Sequence, residues 1–283
     1  MTILKQKKFA MTVDVEEYFQ VAAFDGVIDH QQWGTMKGRV AESTMKVLDI
    51  FSQNDVKATF FVLGIVARKH PELIKEIITR GHELASHGTN HQKADTQDYD
   101  VFYKDVKDAK SLLEDIGGRE VIGYRAPSFS INNSNKWAFD ALLEAGYIYS
   151  SSTYPVKHDH YGVPDWPRVP YQLENGLIEL PQSTVDMFGR MLPVGGGGYF
   201  RLAPYQLSRY FIKKFSSINE SSYIFYFHPW EIDPGQPIVK GASLKSQFRH
   251  RVNLSRMERK IIQLSKDFEW TTMRDAFISN GVD

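Results

Sequence analysis

Six ionisable side chains stand at the ends of short apolar runs: Asp14 and Glu16 behind the run that starts at Phe9, His87 and His91 behind Glu83 to Ser86, Arg125 behind Val121, and His228 behind Tyr223 to Phe227. His87 and His91 are separated by Gly88, Thr89 and Asn90. On one helical turn that spacing puts both imidazoles on one face, with Cβ atoms roughly 5–6 Å apart, and two imidazoles so placed can hold one divalent ion. Taken alone, the pair reads equally well as two histidines on a polar surface turn. A carboxylate would complete three protein ligands and leave a position for water. If the first strand runs through Val15, Asp14 and Glu16 point to one side and Val13 and Val15 to the other; the blander reading is an acidic strand end that caps the next segment. Glu17 is then expected to face solvent. His228 by itself reads as a hydrogen-bonded structural histidine. What raises it to a candidate is that four separate strand ends carry ionisable groups, the arrangement by which barrel enzymes assemble a site.

The elements that must position these groups follow from the patterning. Short apolar runs alternate with amphipathic segments, which argues for an α/β chain of βα units around a parallel sheet or barrel. The strand candidates are Phe9 to Asp14, Ala58 to Leu63, Glu83 to Ser86, Val121 to Arg125, Tyr147 to Ser150, Leu177 to Leu180 and Tyr223 to Phe227. Thr44, Val47, Leu48 and Phe51 fall on one helical face, and Pro71 opens a second helix whose Leu73, Ile74, Ile77 and Ile78 end before Gly81. Asp95 is the expected cap of a third helix, which stops at Gly117-Gly118. Ser151 to Tyr199, rich in Pro, Gly, Tyr and Asp, reads as a long functional loop region. Within it, Gly195 to Gly198 lacks the Lys-Ser/Thr of a phosphate-binding loop and is expected to bring backbone close to a ligand. With no repeat and no linker, residues 1–283 read as one domain.

Composition narrows the function classes. Lys plus Arg and Asp plus Glu both total 34, so no net field draws the chain to nucleic acid. Without cysteine there is no disulfide, thiolate site or thiol nucleophile. The N-terminus shows no signal-peptide pattern, and the longest apolar stretch, Phe60 to Ala67, is too short to span a bilayer. The expectation is a cytoplasmic protein with no membrane insertion.

Four motifs in order resemble those of the NodB-homology polysaccharide deacetylases, carbohydrate esterase family 4: Thr12-Val13-Asp14-Val15-Glu16, Ser86-His87-Gly88-Thr89-Asn90-His91, Arg125-Ala126-Pro127 and Phe227-His228. Asp14 to Phe19, the Gly-rich Val194 to Leu202, His228-Pro229-Trp230-Glu231 and Phe248 to Leu254 are further similar to the branch found in exosortase-linked exopolysaccharide clusters, with an extra C-terminal region from about residue 195. The resemblance implies a distorted (β/α) barrel of about seven strands, one zinc-like divalent ion, most simply Zn2+, and removal of acetyl from an N-acetylated glycan or sugar precursor. It carries the ligand role to Glu16, His87 and His91, the base to Asp14, its orienting partner to Arg125 and the acid to His228.

This chain departs from the family pattern at three places. Val15 stands where the second Asp of the first motif is usual, Ser128-Phe129 follows Pro127 where an aromatic is usual, and Ser150 stands where the close branch has the Asp that orients the catalytic histidine. His228 should therefore either lack a carboxylate or borrow Asp159, Asp165 or Asp186, and its pKa should be less elevated than in its relatives. Trp33, Tyr161, Trp166, Tyr199 and Trp230 are candidates for sugar stacking or plugs under loops. Tyr199, Arg201 and Trp230 are taken forward as substrate-binding residues. Arg249, His250 and Arg251 read either as a phosphate contact or as a solvated face. Two rivals stay open: a cyclic amidase on the same fold and a non-catalytic glycan binder.

Overall fold

A computed structural model describes residues 7–158 and 162–279. Its strands are β1 (Phe9–Val15), β2 (Thr59–Val62), β3 (Glu83–Ser86), β4 (Gly123–Tyr124), β5 (Tyr149–Ser150), β6 (Tyr171–Gln172), β7 (Ile178–Glu179), β8 (Thr184–Met187), β9 (Arg190–Pro193), β10 (Tyr223–Phe227) and β11 (Trp270–Thr271). The helices are α1 (Val40–Gln53), α2 (Gly64–Lys69), α3 (Pro71–Thr79), α4 (Tyr99–Gly117), α5 (Ala138–Glu144), α6 (Gly197–Leu202), α7 (Tyr205–Ile218), α8 (Leu244–Arg251) and α9 (Leu254–Asp267).

The main sheet runs β10-β1-β2-β3-β4-β5-β7-β6, with β11 beside the start of β1, and every pairing is parallel except β6 with β7. The expected α/β barrel is therefore present as one domain with a curled sheet. Alternation along the strands splits the core into two layers. Met11, Val13 and Val15 face the helices, where Val47, Leu48 and Phe51 of α1 meet them. Ala10, Phe61, Ala85, Ile122, Tyr149 and Ile224 turn into the barrel. By the same alternation Thr12 and Asp14 point inward. The gap between β7 and β10 is bridged by loops: Ser183 Oγ accepts from Ile224 N at 2.9 Å and Gly195 O accepts from Tyr226 N at 2.7 Å.

Three local expectations are corrected. Ser151 to Tyr199 is not one loop: besides β7, expected at Leu177 to Leu180, it contains β6 and the β8–β9 hairpin. Strands of two to four residues are too short for periodicity to announce them. The cap of α4 is Asp98, which accepts from Val101 N at 2.9 Å, while Asp95 lies in a separate turn, Ala94–Thr96; the stop at Gly118, in the left-handed region at φ 61°, is as expected. The close approach expected of the glycine run is made to protein by Gly195, Gly196 and Gly197. A Cβ on Gly195 would stand 2.5 Å from Ile224 O, on Gly196 2.9 Å from Tyr226 Oη and on Gly197 2.4 Å from Glu231 Oε1, so these residues let the chain press against β10 and the turn after it. Gly198, with open space around it, lines the cleft described next.

Candidate active site

The C-terminal ends of β1, β3, β4 and β10 surround a cleft of about 210 Å³ lined by Asp14, Glu16, His87, His91, His228 and Trp230 among others. Asp14 is fixed first. Arg125 is fully buried and its Nη1 donates to Asp14 Oδ1 at 2.6 Å and to Thr12 Oγ1 at 2.9 Å. Its remaining donors reach Ser151, Nε to the carbonyl and Nη2 to the hydroxyl, both at 3.2 Å. The guanidinium lies 4.1 Å from the Phe61 ring centroid. A buried cation with all three of its nitrogens hydrogen-bonded holds one carboxylate oxygen of Asp14 and leaves Oδ2 for the cleft.

Glu16, His87 and His91 come together so that one ligand atom from each lies within 4.8 Å of the others. Glu16 Oε2 is 2.7 Å from His91 Nε2 and 3.9 Å from His87 Nε2. His87 Nδ1 is 2.8 Å from the carbonyl of Arg125; a carbonyl only accepts, so Nδ1 carries the proton and Nε2 presents its lone pair to the cluster. Burial pushes His87 down to about 4 against the opposing pull of Asp14, which keeps the ring neutral as a ligand requires. Burial would raise Glu16, but His91, His228 and His87 outweigh it and bring the carboxyl down to about 2. Two neutral-capable imidazoles and one carboxylate, buried and converging, fit a divalent ion with open positions. The helical-turn expectation is corrected: His87 and His91 sit on a loop, with Gly88 at φ 76° and His91 at φ 54°. The left-handed turns, and not helix periodicity, bring the rings to 5.5 Å.

His228 faces this cluster from β10, its Nε2 3.6 Å from Glu16 Oε1 and 4.0 Å from Asp14 Oδ2. The carboxylate behind it is Glu231. Glu231 Oε1 lies 2.9 Å from His228 Nδ1 and accepts from His228 N at 3.1 Å. Pro229 opens a short helical turn, Pro229–Ile232, and Glu231 reaches back from its third position to the residue that caps it. The donors expected from the long loop are elsewhere. Asp165 lines a different cleft, beside Trp166, Asp186 accepts from Gly189 N in the β8–β9 hairpin, and Asp159 lies outside the described residues. Ser150, buried, donates to Ser152 Oγ at 2.8 Å and takes no part in holding His228. Burial disfavours a charged His228, yet Glu16, Glu231 and Asp14 outweigh it and raise it to about 9. The expectation that His228 lacks a carboxylate, or borrows one from the long loop, is corrected by Glu231.

Glu231 is held in turn. Arg201 Nε donates to Glu231 Oε2 at 2.6 Å, Nη1 to the carbonyls of His250 and Val252, each at 2.9 Å, and Nη2 to the carbonyl of Arg249 at 3.3 Å. Arg201 is thus buried behind His228 with its fork engaged by protein, and it also borders the cleft. His250 is also buried, with Nε2 2.7 Å from Gln236 Oε1, so the main chain of Arg249, His250 and Val252 receives Arg201 and this stretch is not a purely solvated face. Trp230 stacks against both His228 and His250, with centroids at 5.1 and 4.3 Å, and its Nε1 donates to Glu16 Oε1 at 3.3 Å. It orients the acid and the proposed ligand, and Trp33 is a buried plug against His30. Tyr199 is partly exposed, Trp166 bonds Asn133 Oδ1 through Nε1 at 2.8 Å, and Tyr161 lies outside the described residues. Glu17 is not solvated: buried, it accepts from Arg39 N at 3.0 and 2.9 Å, a carboxylate at the N-terminus of α1 where the helix dipole favours it.

Residues 28–148 match the family profile described as polysaccharide deacetylase, and residues 151–278 match one described as a domain of unknown function, DUF3473. A peptidoglycan-N-acetylglucosamine deacetylase of Bacillus cereus is 33% identical over 104 residues, 37% of this chain and 47% of that protein. A chitooligosaccharide deacetylase of Sinorhizobium fredii is 44% identical over 48 residues, 17% of this chain and 22% of that protein. The chain therefore spans less than half the length of these curated relatives. In fold it is similar to a crystal structure from Mycobacterium smegmatis assigned to the polysaccharide deacetylases, with a TM-score of 0.61 and 21% identity over 96% of this chain and 88% of that one.

Proposed function

We propose that the chain is a polysaccharide deacetylase, a reading supported by the match of residues 28–148 to that family's profile, and that it hydrolyses the N-acetyl group of an amino sugar in a glycan or glycan precursor and releases acetate. The observation that carries the reading is the meeting in one cleft of the Glu16–His87–His91 cluster, the Arg125-held Asp14 and the Glu231-held His228. A divalent ion held by Glu16, His87 and His91, which we take to be zinc, would activate water and polarise the acetyl carbonyl. Asp14 Oδ2, its partner oxygen tied to Arg125, accepts the proton of the attacking water. His228 stands across the cluster, where the amine must leave, and its raised pKa keeps Nε2 protonated and ready to donate to the departing nitrogen. Arg125 and Glu231 touch no reacting atom and act as positioning residues.

The relatives' printed names support an N-acetylglucosamine-type substrate, and the likeness of Val194 to Leu202 and Phe248 to Leu254 to the exosortase-linked branch supports a place in exopolysaccharide assembly. We place the protein in the cytoplasm; its recovery in a secreted fraction would move it. The deciding experiment is acetate release from N-acetylglucosamine oligomers, with chelator and with zinc restored. Release that chelator stops and zinc restores is expected. No release, with opening of a cyclic imide or ureide instead, would transfer the site to a cyclic amidase.

A further inference from the structure

The segment that carries two of the three proposed ligands is gripped at its middle by a residue of α4. Between His87 and His91 the main chain turns twice into the left-handed region, at Gly88 (φ 76°) and at His91 (φ 54°). A glycine adopts that region freely, but a histidine stays in it only where the surroundings over-determine the backbone. Two sides of the fold do so. From β2 and the start of α2, Val62 O accepts from His87 N at 3.0 Å, and Gly64 N and Ile65 N donate to Gly88 O and Thr89 O, both at 2.9 Å. From α4, Asp105 accepts from Thr89 N on both carboxylate oxygens, at 3.2 and 3.3 Å, and its carbonyl accepts from Thr89 Oγ1 at 3.1 Å. Asn90, exposed, is the one residue between this grip and His91.

Packing alone gives no reason for a carboxylate at this place. The neighbours of Asp105 along α4, Phe102, Val106 and Ala109, are buried apolar side chains. Burial pushes the Asp105 carboxyl up against the opposing hydrogen bonds from Thr89, and Asp108 adds to the rise. The fit around it is close on both sides. A Cβ on Gly88 would stand 2.9 Å from Asp105 Oδ2, so a side chain at 88 would displace the carboxylate that holds residue 89, and a Cβ on Gly64 would stand 3.2 Å from Thr89 Cα. We propose that Asp105 is a positioning residue for the Glu16–His87–His91 centre, which by fixing Thr89 holds the left-handed turn that aims His91 at the cluster. The proposal rests on the reading of that cluster as a divalent-ion site. Asp105 acts by accepting from Thr89 N, so Asp105→Asn should serve where Asp105→Ala cannot.

Zinc affinity of the whole chain, measured by competition with a chromophoric chelator, tests the proposal without any turnover. Asp105→Ala should weaken zinc binding by about 10–100-fold, the usual cost of removing a group that orients a ligand, and Asp105→Asn should recover most of that loss. With cobalt(II) as the probe, the visible spectra of wild type and Asp105→Asn should coincide, and that of Asp105→Ala should differ. Wild-type affinity and spectrum in Asp105→Ala overturn the proposal even if the metal-free melting temperature falls, because Asp105 then supports only the fold. Equal weakening in Asp105→Asn and Asp105→Ala also overturns it, and makes the charge, not the acceptor, the active feature. Wild type that binds no zinc sinks the metal reading and the proposal together, whereas the other two outcomes leave that reading standing.

Discussion

On one side of the cleft, Asp14, Glu16, His87, His91 and Arg125 stand on strand ends and loops in the first half of the chain. On the other side, His228 stands at the head of a relay of buried charge: Glu231 behind it, Arg201 behind Glu231, and the carbonyls of Arg249, His250 and Val252 behind Arg201. The first side lies largely within the stretch that matches the deacetylase profile, the second wholly within the stretch that matches DUF3473. The difference assigns a purpose to the second stretch. It completes the sheet through β7, β10 and β11, and it builds a carboxylate support for the acid where Ser150 offers none.

The harshest way to break the first side is His87→Ala. It removes a proposed ligand whose tautomer is set by the Arg125 carbonyl, so stoichiometric metal by elemental analysis and acetate release should both vanish. Asp14→Asn should instead keep the metal and lose about 10²–10⁴-fold in turnover, the usual range for a general base. His228→Ala should do the same from the other side. Full metal occupancy in His87→Ala, or metal loss in Asp14→Asn, would reverse the assignment of ligand and base on β1.

How much of this could be read from residue order depends on how far apart the partners are. Strands β1 to β5, β7 and β10 and the six residues at their ends were legible because an apolar run followed by a charged group is a local pattern. Glu231 was also within reach, since His228-Pro229-Trp230-Glu231 has the spacing of a capping box, but a histidine in the cap position hid it. The Arg201–Glu231 pair, thirty residues apart in sequence, had no local trace. Nor did the burial of Arg201, His250 and Trp230, because amphipathic and charged side chains look solvated until tertiary packing encloses them. The loop seating of His87 and His91 was signalled only by Gly88, whose freedom at positive φ permits the turn.

Arg201→Met tests the relay at its base and ranks next in effect. It keeps the volume but leaves the buried Glu231 carboxylate with one cation partner fewer and several carbonyls without donors. Breaking one half of a buried pair typically costs about 3–5 kcal/mol, to be read as a drop in denaturant midpoint without a change in slope. Metal content should persist, because no atom of Arg201 is among the proposed ligands. A variant as stable as wild type would show that the relay is incidental to the fold.

The mildest test separates positioning from structure, and it uses pH. His228 is raised to about 9 in the folded protein, by Glu16 and Glu231 against the opposing effect of burial. A raised pKa means that this contribution to stability is whole below the unfolded value and is lost as pH rises through the folded one. Turnover follows the same sign, because the protonated ring is the donor: activity should fall on the alkaline side as His228 loses its proton. A cation at the cluster neutralises part of the Glu16 contribution, so the limb of the metal-loaded enzyme should lie below about 9, while the Glu231 contribution remains. Glu231→Gln keeps an acceptor for Nδ1 but removes the charge, and the limb should move down toward the ordinary histidine range. Each unit of that displacement corresponds to about 1.4 kcal/mol. Wild type and variant should then converge near pH 6, where both rings are protonated, and diverge above the wild-type limb by up to about tenfold for each unit of displacement. A uniform loss at every pH would mean that Glu231 serves only to hold the Pro229–Ile232 turn in shape. A limb that does not move would return the orientation of His228 to another group.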